Sequence, residues 1–489
     1  MRAWTFMIGA ALVCMTPVSV VAQLTAPATA NRYRVVFDTT LVQPHVTAEV
    51  LAVRGRLFMG GWGADMHKRG WAHYVRDLQI RELNGSAISY EIDTASGAWK
   101  LTDSTSRKIQ LAYTVDLSFA KSVWPYGNEQ AGTLQGHDLF VVSKALFITS
   151  ESAGPRTVEF LIPSGWHIAA PWTREFEGRT TYIAADNNAL LNNSLVVGRT
   201  APVEVRAGSF TFLLANLGAT AADRPVVSDA LSRVVREYVR IFPRTAPTSY
   251  VLTMFNAAER DAEAFQNSAA FSEVERLTRV NRIQWAGTVA HELFHSWNGE
   301  SLRPEPYADL QWFSVGFTVY YATRSLAKTG VIDESLFMRR LERTIALYLY
   351  FKAAPAFDSV TLKTAGARKG TYRLGVYEGG WVTAFCFDVN IRKQTSGRRT
   401  LDDVMRMLYD ELALKNQPYT ETDLRRVLRQ VAGPASDTFL DKYVVGDETI
   451  PVGECVANAG YTGFGTAYQG EYYVQNPRSS IYRDWLFKH

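Results

Sequence analysis

The stretch HELFHSWNGESLRPEPYADLQWFSVGFTVYY (His291–Tyr321) sits where an alternating sequence has given way to a helical one. Upstream of it, from Val280 to Asn298, the spacing predicts a helix, with Ile283, Ala286, Ala290, Phe294 and Trp297 forming an apolar stripe. His291 and His295 are four residues apart, so they stand one above the other beside that stripe. That spacing lets two imidazoles share one ion. Zinc favours nitrogen ligands of this kind and keeps a position open for water where it is catalytic. Glu292, next to the first histidine, is placed to accept a proton from such a water. The same pattern also fits two hydrogen-bonded histidines at the boundary between a helix and a core.

Working toward the N-terminus, residues Tyr33 to about Asn216 read as strands. In KIQLAYTVDLSF, Ile109, Leu111, Tyr113, Val115, Leu117 and Phe119 share one face. Val158, Phe160 and Ile162 repeat the alternation, and Val203, Val205, Phe210 and Phe212 continue it across a turn or bulge at Gly208. Asn84-Gly85 and Asn187-Asn188 read as turns between runs. Many short strands separated by polar turns predict a sandwich or barrel. A helix Val227–Phe242, capped by Ser228, and a strand Thr248–Phe255 follow. Beyond them nearly every segment reads as helix: Ser314–Lys328, Glu334–Phe351, Tyr377–Thr395, Leu401–Leu414 and Thr420–Gly433. Asn298-Gly299 and Thr329-Gly330 are helix C-terminal signals.

The expected class is therefore α+β and multidomain, a β-sandwich-like N-terminal domain before a mostly helical one. The expected divisions are a signal peptide over residues 1–22, a β domain over 23–216, a helical domain over 217–460 and a tail over 461–489. A chain of 489 residues with 47% hydrophobic content can build cores of that size. A net charge of +4 without a concentrated basic stripe gives no basis for nucleic-acid binding.

The leader MRAWTFMIGAALVCMTPVSVVAQ has Arg2, an apolar run from Ala3 to Met15 and a small-residue site at Val20-x-Ala22, so a chain exported to the periplasm or medium is expected. Thr16-Pro17 cuts the run short of a span, and no other segment is long enough to cross a bilayer. Removal of the leader leaves Cys386 and Cys455, which can pair or stay as two buried thiols. Nothing in the pattern sets an oligomeric state.

HELFHSWN, QWFSVGFTVYY and VYEGGWVTAFCFDVNIRKQTSGRRTLDDVMRMLY together resemble the glycyl aminopeptidase family of gluzincin zinc metallopeptidases (peptidase family M sixty-one). PHVTAEVLAV near residue 44 and KYVVGDETIPVGECVANAGY extend the likeness over most of the chain. The resemblance implies a thermolysin-like catalytic domain and a peptide or protein substrate. In it His291 and His295 bind zinc, Glu292 is the general base, and Tyr377 of VYEGG donates a hydrogen bond to the oxyanion. A phenol aimed at developing charge stabilises the transition state more than the ground state. The residues alone also allow Tyr377 to be a core or cap residue. Members often carry a PDZ module after the catalytic domain, and the thirty residues that follow Ala459 are too few for one.

Three positions depart from the family. Its third zinc ligand is the Glu of an EGFT sequence, and Val315 stands there. A hydrocarbon donates no electron pair and supplies no charge to offset a dication. In the strand-edge segment that holds substrate, Ala264 and Phe265 replace a Glu and a His, although Glu263 stands one position away. Gly379 replaces a Lys. Glu300, Glu305 and Asp309 are the acids between the two helices that offer a substitute ligand. The expected function is a zinc-dependent, aminopeptidase-like metallopeptidase weakened at its metal. The alternative is a pseudopeptidase that binds peptides or a partner protein without catalysis.

Overall fold

The computed structural model describes residues 31–488, except 62, 65–66, 94, 119–130, 177, 208–209, 246–247, 258–259, 275, 279–280 and 467–470. The signal segment 1–22 and the expectations placed on Phe119, Gly208 and Val280 lie outside the described residues.

Residues in the N-terminal part form a seven-stranded sheet and a four-stranded sheet, with a small three-stranded sheet beside them. The alternation in KIQLAYTV becomes strand Arg107–Val115, which buries Ile109, Leu111, Tyr113 and Val115 and pairs antiparallel with His45–Ala52. Those side chains meet Val141, Val158 and Phe160 in one apolar core, the inside of a sandwich. Gly85 turns the chain with φ +92. Asn187-Asn188 does not form a turn between strands. It opens a short helix, Asn187–Leu191, because Asp186 accepts a hydrogen bond from the Ala189 amide at 2.8 Å.

A five-stranded sheet joins this part to the helical one, in the order Val203–Ala207, Phe210–Asn216, Thr248–Asn256, Ser268–Glu273, Asp261–Phe265. Its three central strands are parallel. Apart from the buried Thr253, the run VLTMF is apolar because both faces are covered. Tyr250, Leu252 and Met254 enter the helical core, while Val251 and Phe255 enter the sandwich core. Periodicity does not mark the last two strands, although the family resemblance already places Ala264 and Phe265 at a strand edge, which the strand Asp261–Phe265 confirms. A second unexpected pair, Thr462–Thr466 with Glu471–Gln475, lies near the C-terminus.

The helices match the expected segments with shifted ends. The first spans Arg224–Ile241, so Ser228 lies inside it and does not cap it. The true N-cap residue, Asp223, spends its carboxylate on Arg276 and on the Leu277 amide at 2.7 Å. Helix Arg282–Phe294 ends before Asn298, and helix Gln311–Lys328 begins before Ser314. Helices Glu334–Ala353, Gly380–Gln394, Leu401–Glu411 and Glu421–Ala432 complete the layer. Thr400 and Thr420 cap the last two through capping boxes with Asp403 and Asp423. Cys386 and Cys455 form a disulfide, with Cα atoms 5.2 Å apart. No helix among the described residues is long and apolar enough to cross a membrane.

Candidate metal centre

His291 sits in the last turn of helix Arg282–Phe294, and His295 is its C-cap residue. The helix stops there because the chain turns through Trp297 and Asn298 into Gly299, whose φ is +142. Asn298 pins this turn to the next helix. Its side-chain amide donates to the Ser314 carbonyl at 3.0 Å, the Phe313 carbonyl at 3.2 Å and the Thr318 hydroxyl at 3.1 Å.

The Asn298 carbonyl in turn lies 2.9 Å from His295 Nδ1. A carbonyl only accepts, so Nδ1 carries the proton and Nε2 keeps its lone pair. That Nε2 is 3.1 Å from Nε2 of His291, with the two rings nearly perpendicular at 86°. Two nitrogens each ~2 Å from one ion in tetrahedral array stand ~3.3 Å apart, so the imidazoles fit a shared zinc. Burial pushes His295 down to about 4 and His291 well below the ordinary histidine range, His295 and Lys369 adding to the effect on His291. Both rings are thus neutral and able to donate.

Glu292 is 9% exposed, with a carboxylate oxygen 4.0 Å from His291 Nε2. Burial pushes its carboxyl up to about 8, and the nearby negative charges of Glu263 and Asp261 add to that while Lys369 opposes it. His291, Glu292 and His295 offer ligand atoms within 4.8 Å of one another. Glu300, Glu305 and Asp309 stand outside that group among the described residues, and Asp309 lies 3.6 Å from Lys363.

Val315 is 2% exposed on helix Gln311–Lys328, which carries no acidic residue. It packs with Ala365 and Val376, and Tyr377 lies against the same small cluster. The Tyr377 ring is in turn 6.3 Å from that of His291, 19° from parallel. Position 315 therefore places hydrocarbon against Tyr377, where the resemblance implied a carboxylate. Tyr377 reaches the site because residues Gly375–Gly379 widen into a π-helical turn. Gly316 and Gly380 let the two helices touch, a Cβ on Gly316 falling 2.4 Å from the Gly380 Cα.

A cavity of about 600 Å³ opens beside His291, Glu292 and Tyr377. It is also lined by Arg339, Arg340, Arg343 and Arg373, which the sequence reading passed over. The signal was present in FMRRLERT, where residues 339 and 343 fall on one helix face. The edge strand Asp261–Phe265 forms another wall, with Asp261 lining the cavity. Phe265 turns away, 1% exposed in the sandwich core, so it does not enter the cavity.

Residues 284–374 match the model of a peptidase family described as M61 glycyl aminopeptidase. No curated protein matches the chain. Among solved structures, an aminopeptidase N family protein from Idiomarina loihiensis superposes with a TM-score of 0.74 at 18% identity, over 89% of this chain and 79% of that one. An M1 zinc metallopeptidase from Deinococcus radiodurans superposes at 0.50 with 14% identity, over 86% of this chain and 94% of that one. At these identities the likeness concerns the fold: a sheet-rich N-terminal region followed by a helical one.

Proposed function

We propose that the chain is a zinc metallopeptidase that hydrolyses peptides in an aminopeptidase-like manner, with a metal centre weakened by Val315. The observation that carries this reading is the pair of converging, neutral Nε2 atoms with the buried carboxyl group of Glu292 beside them. The match of residues 284–374 to a peptidase family supports it. His291 and His295 would hold zinc, which when bound supplies Lewis acidity toward water and the substrate carbonyl. Glu292 accepts a proton at its carboxylate and returns it to the leaving amine. The Tyr377 hydroxyl donates a hydrogen bond to the developing oxyanion. Asp261 and Glu263 bring negative charge toward the free ammonium of the substrate, in place of the acid missing at Ala264.

Expression of the mature chain outside the cytoplasm belongs to the same proposal. The apolar leader and the Cys386–Cys455 disulfide both support it. A second reading, a cleft that holds peptides without cutting them, is favoured by the sealed hydrocarbon around Val315.

Glu292→Gln decides between the two. Hydrolysis of short peptides by zinc-loaded wild-type protein should fall at least ~100-fold in the variant, as expected on loss of a general base, while zinc content stays unchanged. Wild-type protein that turns over no peptide with zinc in excess leaves the second reading; turnover unaffected by the substitution places the chemistry elsewhere.

A further inference from the structure

The arginines on the cavity wall lack the partners that arginines have at several helix junctions: Arg240 meets Asp402 at 2.9 Å, Arg324 meets Asp402 at 2.6 Å, Arg425 meets Asp441 at 2.9 Å and Arg483 meets Glu334 at 2.6 Å. Arg339, Arg340, Arg343 and Arg373 form no ion pair within 4.0 Å among the described residues.

Arg339 and Arg343 are also four apart on helix Glu334–Ala353, an arrangement in which like charges repel. Arg373 lies over the Tyr377 ring, 4.3 Å from its centre, which places that charge beside the candidate catalytic tyrosine. The carboxylate near this wall is Glu378, which is buried and leaves one oxygen without a hydrogen-bond partner. One carboxylate does not balance four guanidinium groups. An unbalanced cationic wall costs the fold stability unless an anion completes it, and guanidinium forks match carboxylates and phosphates, of which a peptide supplies the carboxylate.

We propose that this wall is a specificity site for a substrate carboxylate, so that the cleft takes short peptides bearing an acidic group away from the ammonium end. Asp261 on the edge strand and the four arginines give the cavity opposite charges on two walls, which orients a peptide along one direction. This rests on the proposed peptide-binding reading and assigns its substrate class. The carboxylate can be a free C-terminus or an Asp or Glu side chain.

The test is a binding titration with the full mature chain carrying Glu292→Gln, at ~150 mM salt so that distant surface charge is screened. The probes are trialanine with a free C-terminus, trialanine amide, and the amide with Glu at each position in turn. At least one acidic peptide should bind ten-fold or more tightly than neutral trialanine amide, and which one does identifies the source of the carboxylate. Arg339→Gln with Arg343→Gln, both exposed positions, should abolish the difference without lowering the melting temperature. Reversal to Glu at the same two positions should shift the preference to lysine-bearing peptides. Equal binding of all peptides, or an acidic preference that survives these substitutions, overturns the proposal. Hydrolysis by the wild type without acidic preference sinks this site alone. Acidic preference without any hydrolysis sinks the catalytic reading and leaves this one standing.

Discussion

On the proposed reading, metal retention turns on Val315. Its isopropyl group is sealed among Ala365, Val376 and Tyr377, so a carboxylate placed there without an ion would be buried and uncompensated. Val315→Glu should therefore do two things together. Zinc affinity should rise by at least ~10-fold, the scale associated with loss of even an outer ligand partner. Folding stability should become zinc-dependent, with the metal-free variant less stable than wild type. Competition with a chelating dye and melting with and without zinc would measure both. A variant equally stable in either condition would show that residue 315 does not face the imidazoles. The His295–Asn298 contact acts on the same scale: one carbonyl sets the tautomer, and without that tautomer the Nε2 atom cannot donate.

Among the elements, the junction of helices Arg224–Ile241, Gln311–Lys328 and Leu401–Glu411 holds the wall behind the centre. Its hub is Arg324, fully buried, whose guanidinium meets Asp402 at 2.6 Å and Asp388 at 3.5 Å. Burial alone would push the Asp402 carboxyl up, but the charges of Arg324 and Arg240 overcome it and hold the group well below the usual carboxylate range. A lowered folded value means that this contribution is fully present above pH ~4 and drains away as pH falls toward that value. Asp402→Asn should cost about 3–5 kcal/mol at pH 7, because it leaves Arg324 buried with one partner fewer. The gap between variant and wild type should narrow below pH 4, where the carboxyl of the unfolded chain takes up a proton that the folded one does not. Denaturant unfolding at pH 7 and pH 3 measures it, and an unchanged gap would refute the account.

For the molecule as a whole, the five-stranded sheet is the shared wall of two cores, so the sandwich and the helices are held as one packed unit. Cys386 and Cys455 add a covalent closure over a sequence separation of 69 residues inside the helical part. Loss of that constraint through Cys455→Ala should lower stability by about 2–4 kcal/mol. Zinc content should not change, because neither cysteine belongs to the centre. A fall in bound zinc would mean that the closure also shapes the site.

Local periodicity determined much of this protein. It specified the alternating strands of the sandwich, most of the helical segments, and the i, i+4 pair His291 and His295 with Glu292 between them. These are legible because each depends on neighbours within one turn or one strand. The resemblance of short motifs pointed to Tyr377 and to the gap at Val315. Tertiary structure decided what depends on partners far along the chain. The edge strand Asp261–Phe265 exists because Ser268–Glu273 pairs with it. Phe265 belongs to the sandwich core, which no local rule foretells. The pairing of Cys386 with Cys455 required a helix from elsewhere to arrive beside Gly380–Gln394. Four arginines from two segments face one cavity because Gly375 in the π-helical turn packs so closely on Phe351 of helix Glu334–Ala353 that a Cβ there would fall 2.7 Å from its ring. Charge in a sequence is spread along a line, and only folding shows where it accumulates without an answering charge.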